Sequence, residues 1–453
     1  MIVMKFGGTS VQDAAAMERV ITIIKSKLAH HPIVVVSAMA QITNTLIQCA
    51  QLAREGKEPE ALKLVHDVLA ERHHEAIDQL INDTSQKDLL HSAVEKYLNE
   101  IKTLIRGLTI LGELSPRSLD AIASYGEQFS SMILSGAMQE HGLRTELVDS
   151  RRFIITDENY TKAAPLMDES ATRMKEILVP LLDRGIVPVT QGFVGSTRNG
   201  VTTTLGRDGS DYSATIIGAS LNTEVIEIWT DVDGILTADP KLVPQARVLE
   251  TVTFEEASEL AYFGAKILHP STLLPAVEKK IPVNVYNTMR PASVGTHIVS
   301  NAVNEGQPGS VNSIAYKKGI TVINVYSARM LLAHGFLKSI FEVFDRFETS
   351  VDLVATSEVN VSLTIDDQRQ LQAIVNELKK FSTVTVEHDR AIICLVGEQM
   401  RYTPGISARA FGAIRDMNIV MISQGASEVN LSFIIDEADV RVAVERLHRE
   451  FFE

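Results

Sequence analysis

The chain has 453 residues, 45% of them hydrophobic and 22% charged, with a formal net charge of −14 and two cysteines, Cys49 and Cys394. That length accommodates two or three domains with cores of their own, while the acidic balance excludes a broad nucleic-acid surface, which needs clustered lysine and arginine. The distant cysteines lack metal-ligand spacing and fit a reducing compartment, and no apolar run reaches the ~18 residues of a membrane span.

The first residues, MIVMKF, read as a strand, so no signal peptide is expected and a cytoplasmic protein is. The turn that follows, KFGGTS, puts Lys5 before Gly7 and Gly8 rather than after them, unlike a Walker loop. Two glycines let backbone N–H groups approach a ligand, Thr9 and Ser10 can cap the next helix (Val11 to Leu28), and Lys5 adds a full charge. The alternative is a plain strand-to-helix turn with a surface lysine. HPIVVVSA, from His31 to Ala38, is a second strand. From Asn44 to Gly112 the pattern is helical throughout, an excursion packed on the sheet. In ASYGEQFSS, Glu127 follows a glycine at a helix start and could bind an amine or serve as an ordinary first-turn acid.

The runs GIVPVTQGFVG and VIEIWTDVDGI continue the Val/Ile-rich style. Such runs separated by helices predict a mostly parallel sheet covered on both faces. TTTLGRDGSDYSA, from Thr202 to Ala214, leads into an apolar helix. Arg207 offers a planar fork for a carboxylate or phosphate; Asp208 and Asp211 could bind a cation or an amine, or Asp211 could simply cap the helix. Thr230 and Asp231 sit at the carboxyl end of a strand, where open α/β sheets bind ligands, whereas Asp239 before Pro240 is a turn former. In TFEEASELAYFGAKILHP, Thr253 and Glu256 form a capping box, Lys266 either complements the helix end or faces a ligand, and His269 is structural.

The polar segment from Asn301 to Ser313 marks a boundary. Beyond it SEVNVSLTID (Ser357 to Asp366) returns as SEVNLSFIID (Ser427 to Asp436), 70 residues on. The same offset relates Gly335 to Gly405 and Phe341 to Phe411. Two copies of a small βαββ-type unit predict paired modules sharing a sheet or an interface.

Taken in order, KFGGTSV, SAMAQITN, YGEQFSS, TTTLGRDGSDYSA, WTDVDGI, FGAKILHP, GFLKSIFEVF and SVDLVATSEV resemble the aspartate kinases of the amino-acid kinase superfamily, in the monofunctional form with C-terminal ACT modules. The resemblance spans nearly the whole chain. It implies a three-layer α/β/α catalytic domain over residues 1–300, with the helical excursion at about 45–112. Two ferredoxin-like ACT modules follow at 314–385 and 386–453, and the terminal residues may rejoin the first. It also implies ATP-dependent phosphorylation of L-aspartate to 4-phospho-L-aspartate, the entry to lysine, threonine, methionine and isoleucine, with Mg2+ bridging the phosphates and no protein carboxylate singled out as its ligand. The alternatives are a sister kinase acting on a glutamate-like substrate, or a catalytically silent ACT sensor.

By the same resemblance, catalysis falls to Lys5, Arg207, Asp211 and Lys266. Ser37, Thr43, Glu127, Phe193, Arg207, Asp208, Ser210 and Asp211 form the substrate side, with Arg207 on a carboxylate and Glu127 on the α-ammonium. Lys5, Gly7, Gly8, Ser10, Thr230, Asp231, Leu236, Lys241 and Lys266 form the nucleotide side. Leu236 stands where some members have tyrosine, and Lys241 replaces a frequent arginine. The effector positions are Met330, Gly335, Phe336, Leu337, Ser350, Val351, Asp352, Thr356, Ser357 and Glu358. Asp352 and Glu358 suit a cationic amino acid, so lysine leads and threonine is second, although Leu332 and Ala333 replace a histidine and a serine of some lysine-sensitive members. A homodimer or dimer of dimers through the ACT modules is implied, with no nucleic acid and no membrane as partner.

Overall fold

In the computed structural model, residues 1–264, 268–300, 310–327 and 334–453 are described. They divide into two units, Met1–Gly234 with Glu250–Phe254 and Ile267–Ala302, and Ile235–Leu249 with Glu255–Lys266 and Val303–Glu453.

The first unit is built on eleven short strands: β1 (Ile2–Phe6), β2 (Pro32–Val36), β3 (Thr145–Val148), β4 (Ile155–Thr156), β5 (Val187–Gln191), β6 (Val194–Thr197), β7 (Thr202–Thr204), β8 (Val225–Thr230), β9 (Thr251–Thr253), β10 (Val283–Asn287) and β11 (Thr296–Val299). Eight form one sheet in the order β3-β5-β2-β1-β8-β10-β11-β9, parallel except where β10 meets β11. Every residue of β1, β2 and β5 is buried, as the uninterrupted Val/Ile runs require of a sheet covered on both faces. β4, β6 and β7 make a small separate sheet.

Helix Gly209–Leu221 is buried along most of its length. Gly218 lets it lie against β8, since a Cβ there would come within 2.5 Å of Ile226 Cδ1. The helical excursion is present as Ile42–Arg54, Glu58–Leu64, a π segment Val65–Ala70, Glu71–Leu80 and Thr84–Leu111. Its apolar stripe, including Leu46, Ile77, Val94, Leu98 and Ile101, joins the main core. Both cysteines are buried and free; burial pushes the Cys49 thiol up to about 12, which keeps it unreactive.

The entry to the first crossover differs from the sequence expectation. Gly8–Val11 form a 3-10 turn, and the helix proper is Ala14–Ser26, capped by Asp13, whose carboxylate accepts the Ala16 N–H at 2.8 Å. Ser10 does not cap it: its hydroxyl meets that of Thr288 at 2.7 Å.

In the second unit, β12 (Val311–Tyr326), β13 (Val354–Thr356), β14 (Asn360–Ile365), β15 (Thr383–Gly397), β16 (Met421–Gln424) and β17 (Asn430–Asp436) form one antiparallel sheet, ordered β13-β14-β12-β15-β17-β16. The repeat read from sequence is this sheet's pseudo-symmetry. The long strands β12 and β15 pair at its centre, and the repeated SEVN segments end in β14 and β17 beside them. Helices Phe336–Arg346 and Ile406–Ala413 follow glycines at φ 86° and 82°, a left-handed conformation suited to glycine.

Candidate active site

Four strands of the first sheet end level with one another. Phe6 pairs with both Val36 and Trp229, and Val36 pairs with Gln191. The turns leaving β1, β2, β5 and β8 therefore open on one edge, the carboxyl edge at which open α/β sheets bind ligands. Backbone hydrogen bonds lock these turns together: Gly7 N–H to Trp229 O (3.0 Å), Ser37 N–H to Phe6 O (3.1 Å), Ala40 N–H to Gly8 O (3.0 Å) and Gly192 N–H to Val36 O (2.9 Å). Gly8 is required by close approach, since a Cβ there would lie 2.9 Å from Ala38 O.

On this edge lies a pocket of about 400 Å³, lined by Gly8, Ser37–Gln41, Thr43, Asn44, Glu127, Phe193 and Gly206–Ser210. Three non-glycine residues of its wall, Gln41, Phe193 and Asp208, have φ of 71°, 65° and 52°. Such strained backbone persists where the surroundings over-determine it and gathers at functional sites.

Beside the pocket Lys5 Nζ meets Asp211 Oδ1 at 2.5 Å, both side chains about nine-tenths buried. Asp211 is thus not a helix cap. Asp208 occupies the cap position of helix Gly209–Leu221, without a side-chain cap bond. Burial pushes the Asp211 carboxyl up, opposed by the Lys5 ammonium. Glu127, in the first turn of helix Tyr125–Glu140, is buried; its Oε1 accepts the Ala38 N–H at 3.2 Å, and its buried Oε2 has no hydrogen-bond partner among the described residues. Burial is the main reason its carboxyl rises to about 8, against the lowering effects of the Ala38 N–H and of Lys5. Gly126 permits this depth: a Cβ there would come 2.7 Å from that of Ala38.

Ser37 donates its hydroxyl proton to Ser210 Oγ at 2.8 Å, and Ser130 Oγ braces the Ser37 carbonyl at 2.7 Å. The Arg207 side chain is extended into solvent, 83% exposed, with Asp208 3.7 Å away. The pocket therefore combines a buried carboxyl, a solvent-exposed guanidinium, hydroxyls and the N-terminus of a buried helix. That set suits a small zwitterion carrying extra negative charge.

Of the sequence-predicted residues, Gly8, Ser37, Thr43, Glu127, Phe193, Arg207, Asp208 and Ser210 line this one pocket, with Lys5 and Asp211 in the same unit. Gly7 and Ser10 serve the turn itself: the Gly7 N–H is engaged by Trp229 O, and the Ser10 N–H by Gly7 O. Thr230 and Asp231 end β8, where the Thr230 carbonyl accepts the Thr288 N–H at 2.8 Å. Leu236 and Lys241 belong to the second unit, where Asp239 is structural as expected, accepting from Lys241 N–H and Tyr316 Oη. His269 is structural too, its ring accepting the Ser271 N–H. Lys266 and Met330 lie outside the described residues.

Among the effector positions, Gly335 caps helix Phe336–Arg346, while Leu337, Ser350, Thr356, Ser357 and Glu358 are exposed and Val351 is half-buried. Asp352 is 3% exposed, held by Lys317 Nζ (3.0 Å) and Tyr262 Oη (2.9 Å); Lys317 also reaches Asp366 at 2.7 Å.

Sequence reasoning missed Asp120. Its buried carboxylate accepts the Thr161 N–H (2.9 Å), the Thr204 N–H (3.0 Å) and the Thr204 hydroxyl (2.6 Å), so it anchors the strand that delivers Gly206–Ser210 to the pocket. Arg72 was missed as well: it donates to the carbonyls of Ala40 (2.8 Å) and Gln12 (3.0 Å) and fixes the pocket rim. An acid in an amphipathic helix and an arginine in a charged one carry no local signal, because their partners lie 84 and 32 residues away.

Residues 1–287 match the amino acid kinase family and 393–451 the ACT domain. Lysine-sensitive aspartokinase 3 of Escherichia coli is 35% identical, over all of this chain and 99% of that protein. Chloroplastic aspartokinase 1 of Arabidopsis thaliana is 36% identical, over all of this chain and 80% of that one. The crystal structure of E. coli aspartokinase III with aspartate and ADP superimposes with a TM-score of 0.87 at 35% identity, and its complex with lysine and aspartate with 0.83 at 36%; both cover the two chains fully.

Proposed function

Because the chain belongs to the amino acid kinase family and is an aspartate kinase, we propose that it transfers the γ-phosphoryl group of ATP to the side-chain carboxylate of L-aspartate in the pocket above, giving 4-phospho-L-aspartate and ADP, as the entry step to lysine, threonine, methionine and isoleucine. The observation that carries this reading is the buried Glu127 carboxyl facing the same pocket as Arg207 and Ser210, next to the Lys5–Asp211 pair.

Transfer between two anions needs charge neutralisation and alignment more than covalent help. Glu127, ionised, takes the α-ammonium. Arg207 swings from solvent onto a substrate carboxylate in bidentate fashion, while Ser37 and Ser210, already hydrogen-bonded to each other, hold the substrate's oxygens with Thr43. Phe193 and Asp208 shape the wall. Lys5 stabilises the migrating phosphoryl group, held in position by Asp211, and Lys266 is assigned to the same phosphates. Thr230, Asp231, Leu236 and Lys241 are assigned to the nucleotide. With Leu236 the adenine loses an aromatic contact, and with Lys241 the phosphates meet a point charge rather than a fork.

The donor set fits magnesium that arrives on the nucleotide. Asp211 is committed to Lys5, whereas the half-exposed Asp208 of the rim, 3.7 Å from Arg207, would be the carboxylate to reach the ion once Arg207 turns to substrate, and Mg2+ takes one or two carboxylates besides phosphate and water. When bound, the ion neutralises phosphate charge. The ACT modules are assigned to dimerisation and to feedback inhibition by lysine, with threonine second, and the protein to the cytoplasm.

A coupled ADP-release assay tests the assignment. Turnover on L-aspartate should far exceed that on L-glutamate, and equal rates overturn it. Lys5→Met, which keeps the volume, should lower kcat about 10²- to 10³-fold with little change in aspartate affinity; unchanged turnover removes the role given to Lys5.

A further inference from the structure

Away from this pocket two imidazoles meet head to head. His74, on helix Glu71–Leu80, and His91, on helix Thr84–Leu111, bring Nδ1 to 2.5 Å from Nδ1, with ring centroids 4.7 Å apart. Each outer nitrogen faces a carboxylate of the opposite helix: His74 Nε2 lies 2.9 Å from Glu95 Oε1, and His91 Nε2 3.1 Å from Asp78 Oδ1. The spacing builds this arrangement. His74 and Asp78 are four residues apart, as are His91 and Glu95, so each pair shares a helix face, and the two faces are cross-matched. Both histidine side chains are 26% exposed and open to small solutes. Lys87 also approaches Asp78, at 3.7 Å, and offsets part of its charge.

With Nε2–H of each ring turned to its carboxylate, the two Nδ1 atoms face one another as a hydrogen bond in which a single proton is shared between their lone pairs, and that proton is what a metal ion would displace. An electrophile belongs between them. A carboxylate on the far N–H is also the arrangement that fixes the tautomer and orientation of metal-bound histidines. We propose that His74 and His91 ligate a divalent transition metal of the zinc class through Nδ1, with water completing the shell and Glu95 and Asp78 holding the outer N–H groups. Metal–nitrogen bonds of about 2.0–2.1 Å in a tetrahedral shell need the two Nδ1 atoms roughly 3.3 Å apart, a turn of each half-buried ring that its solvent-exposed carboxylate partner is free to follow. Imidazole donors favour zinc, nickel and copper over magnesium and calcium.

The site bears on the pocket through one helix. Arg72 of Glu71–Leu80 holds the Ala40 carbonyl of the rim, and His73 stacks on Phe129 at 4.3 Å, two residues from Glu127. A metal that ties His74 to the long helix therefore stiffens the element that braces both.

Calorimetric titration of the full-length protein with Zn2+ alone should show one tight ion per chain, in excess Mg2+ as well. His74→Ala and His91→Ala should each abolish it. Glu95→Gln, which keeps both ligands, should weaken it about 10- to 100-fold. His66→Ala, in the exposed His66–Asp67–Glu71 group nearby, should leave it intact. Should the alanine variants fail to fold, the wild-type protein with one Cu2+ still decides, since its electron paramagnetic resonance must show coupling to two imidazole nitrogens. Absence of that coupling, zinc binding no tighter than in the double alanine variant, no effect of Glu95→Gln, or loss in His66→Ala instead overturns the proposal.

Discussion

Glu127 sets a pH dependence that can be worked out from its surroundings. In the empty pocket burial holds its carboxyl at about 8, so near neutrality the group is uncharged. An incoming ammonium needs the carboxylate, so aspartate binding expels a proton. Affinity should therefore rise about tenfold per pH unit up to about 8 and then level off. Calorimetry in two buffers of different ionisation enthalpy should read close to one proton released near neutral pH. Glu127→Gln should flatten the profile and weaken binding roughly 10- to 100-fold; a steep profile that survives this change removes the role of Glu127. Stability runs the other way. The folded-state value lies above the unfolded one, so the contribution is fully present below 4.5 and is lost as pH rises through about 8. Melting temperature of the empty enzyme should fall across that window, and less so in Glu127→Gln. At this scale the sequence marked Lys5, Glu127 and Arg207 as candidates but not their states. That Asp211 belongs to Lys5 depends on a contact across 206 residues, and a carboxyl's burial cannot be read from its neighbours in the chain.

The turns around the pocket rest on close approaches that only glycine permits. A Cβ at Gly192 would lie 2.5 Å from Ser210 Cβ and 2.9 Å from Ser210 Cα. Backbone cannot yield there without moving the start of helix Gly209–Leu221. Gly192→Ala should cost about 1–3 kcal/mol and should reduce kcat/KM for aspartate beyond what lost stability explains. Gly107, inside helix Thr84–Leu111, has open space around it, so Gly107→Ala should gain about 0.8–1.0 kcal/mol with activity unchanged. Thermal unfolding together with steady-state kinetics on both variants checks the pair, and a Gly192→Ala enzyme as active as wild type would remove the packing argument. Elements were the most legible level. The Val/Ile runs became buried parallel strands, and the helical excursion is where its periodicity put it. Its π segment was not foreseen, and the first helix starts later than expected because Asp13, not Thr9 or Ser10, supplies the cap.

For the whole molecule, the 70-residue repeat left open a shared sheet or a shared interface, and the pairing of β12 with β15 makes it a sheet. What the repeat could not disclose is that Ile235–Leu249 and Glu255–Lys266 join the C-terminal residues in one unit, since membership in a unit is set by packing rather than by order along the chain. That arrangement lets the proposed feedback inhibition be tested at Tyr262. Its hydroxyl donates to Asp352, and its ring lies 5.1 Å from Lys317 Nζ, which pairs with Asp352 and Asp366. A ligand ammonium that competes with Lys317 for Asp352 would disturb the Tyr262 hydrogen bond. Tyr262→Phe keeps the ring over Lys317 and removes only the hydroxyl. The uninhibited rate should stay within about twofold of wild type, while the lysine concentration for half-inhibition shifts about 5-fold or more, the lower range of measured coupling between sites. Asp352→Ala, which removes the shared acceptor, should relieve inhibition further. Inhibition curves with lysine and with threonine distinguish the possible failures: a wild-type enzyme that answers to threonine alone refutes the choice of effector, whereas an unchanged lysine response in Tyr262→Phe refutes the route through this hydroxyl.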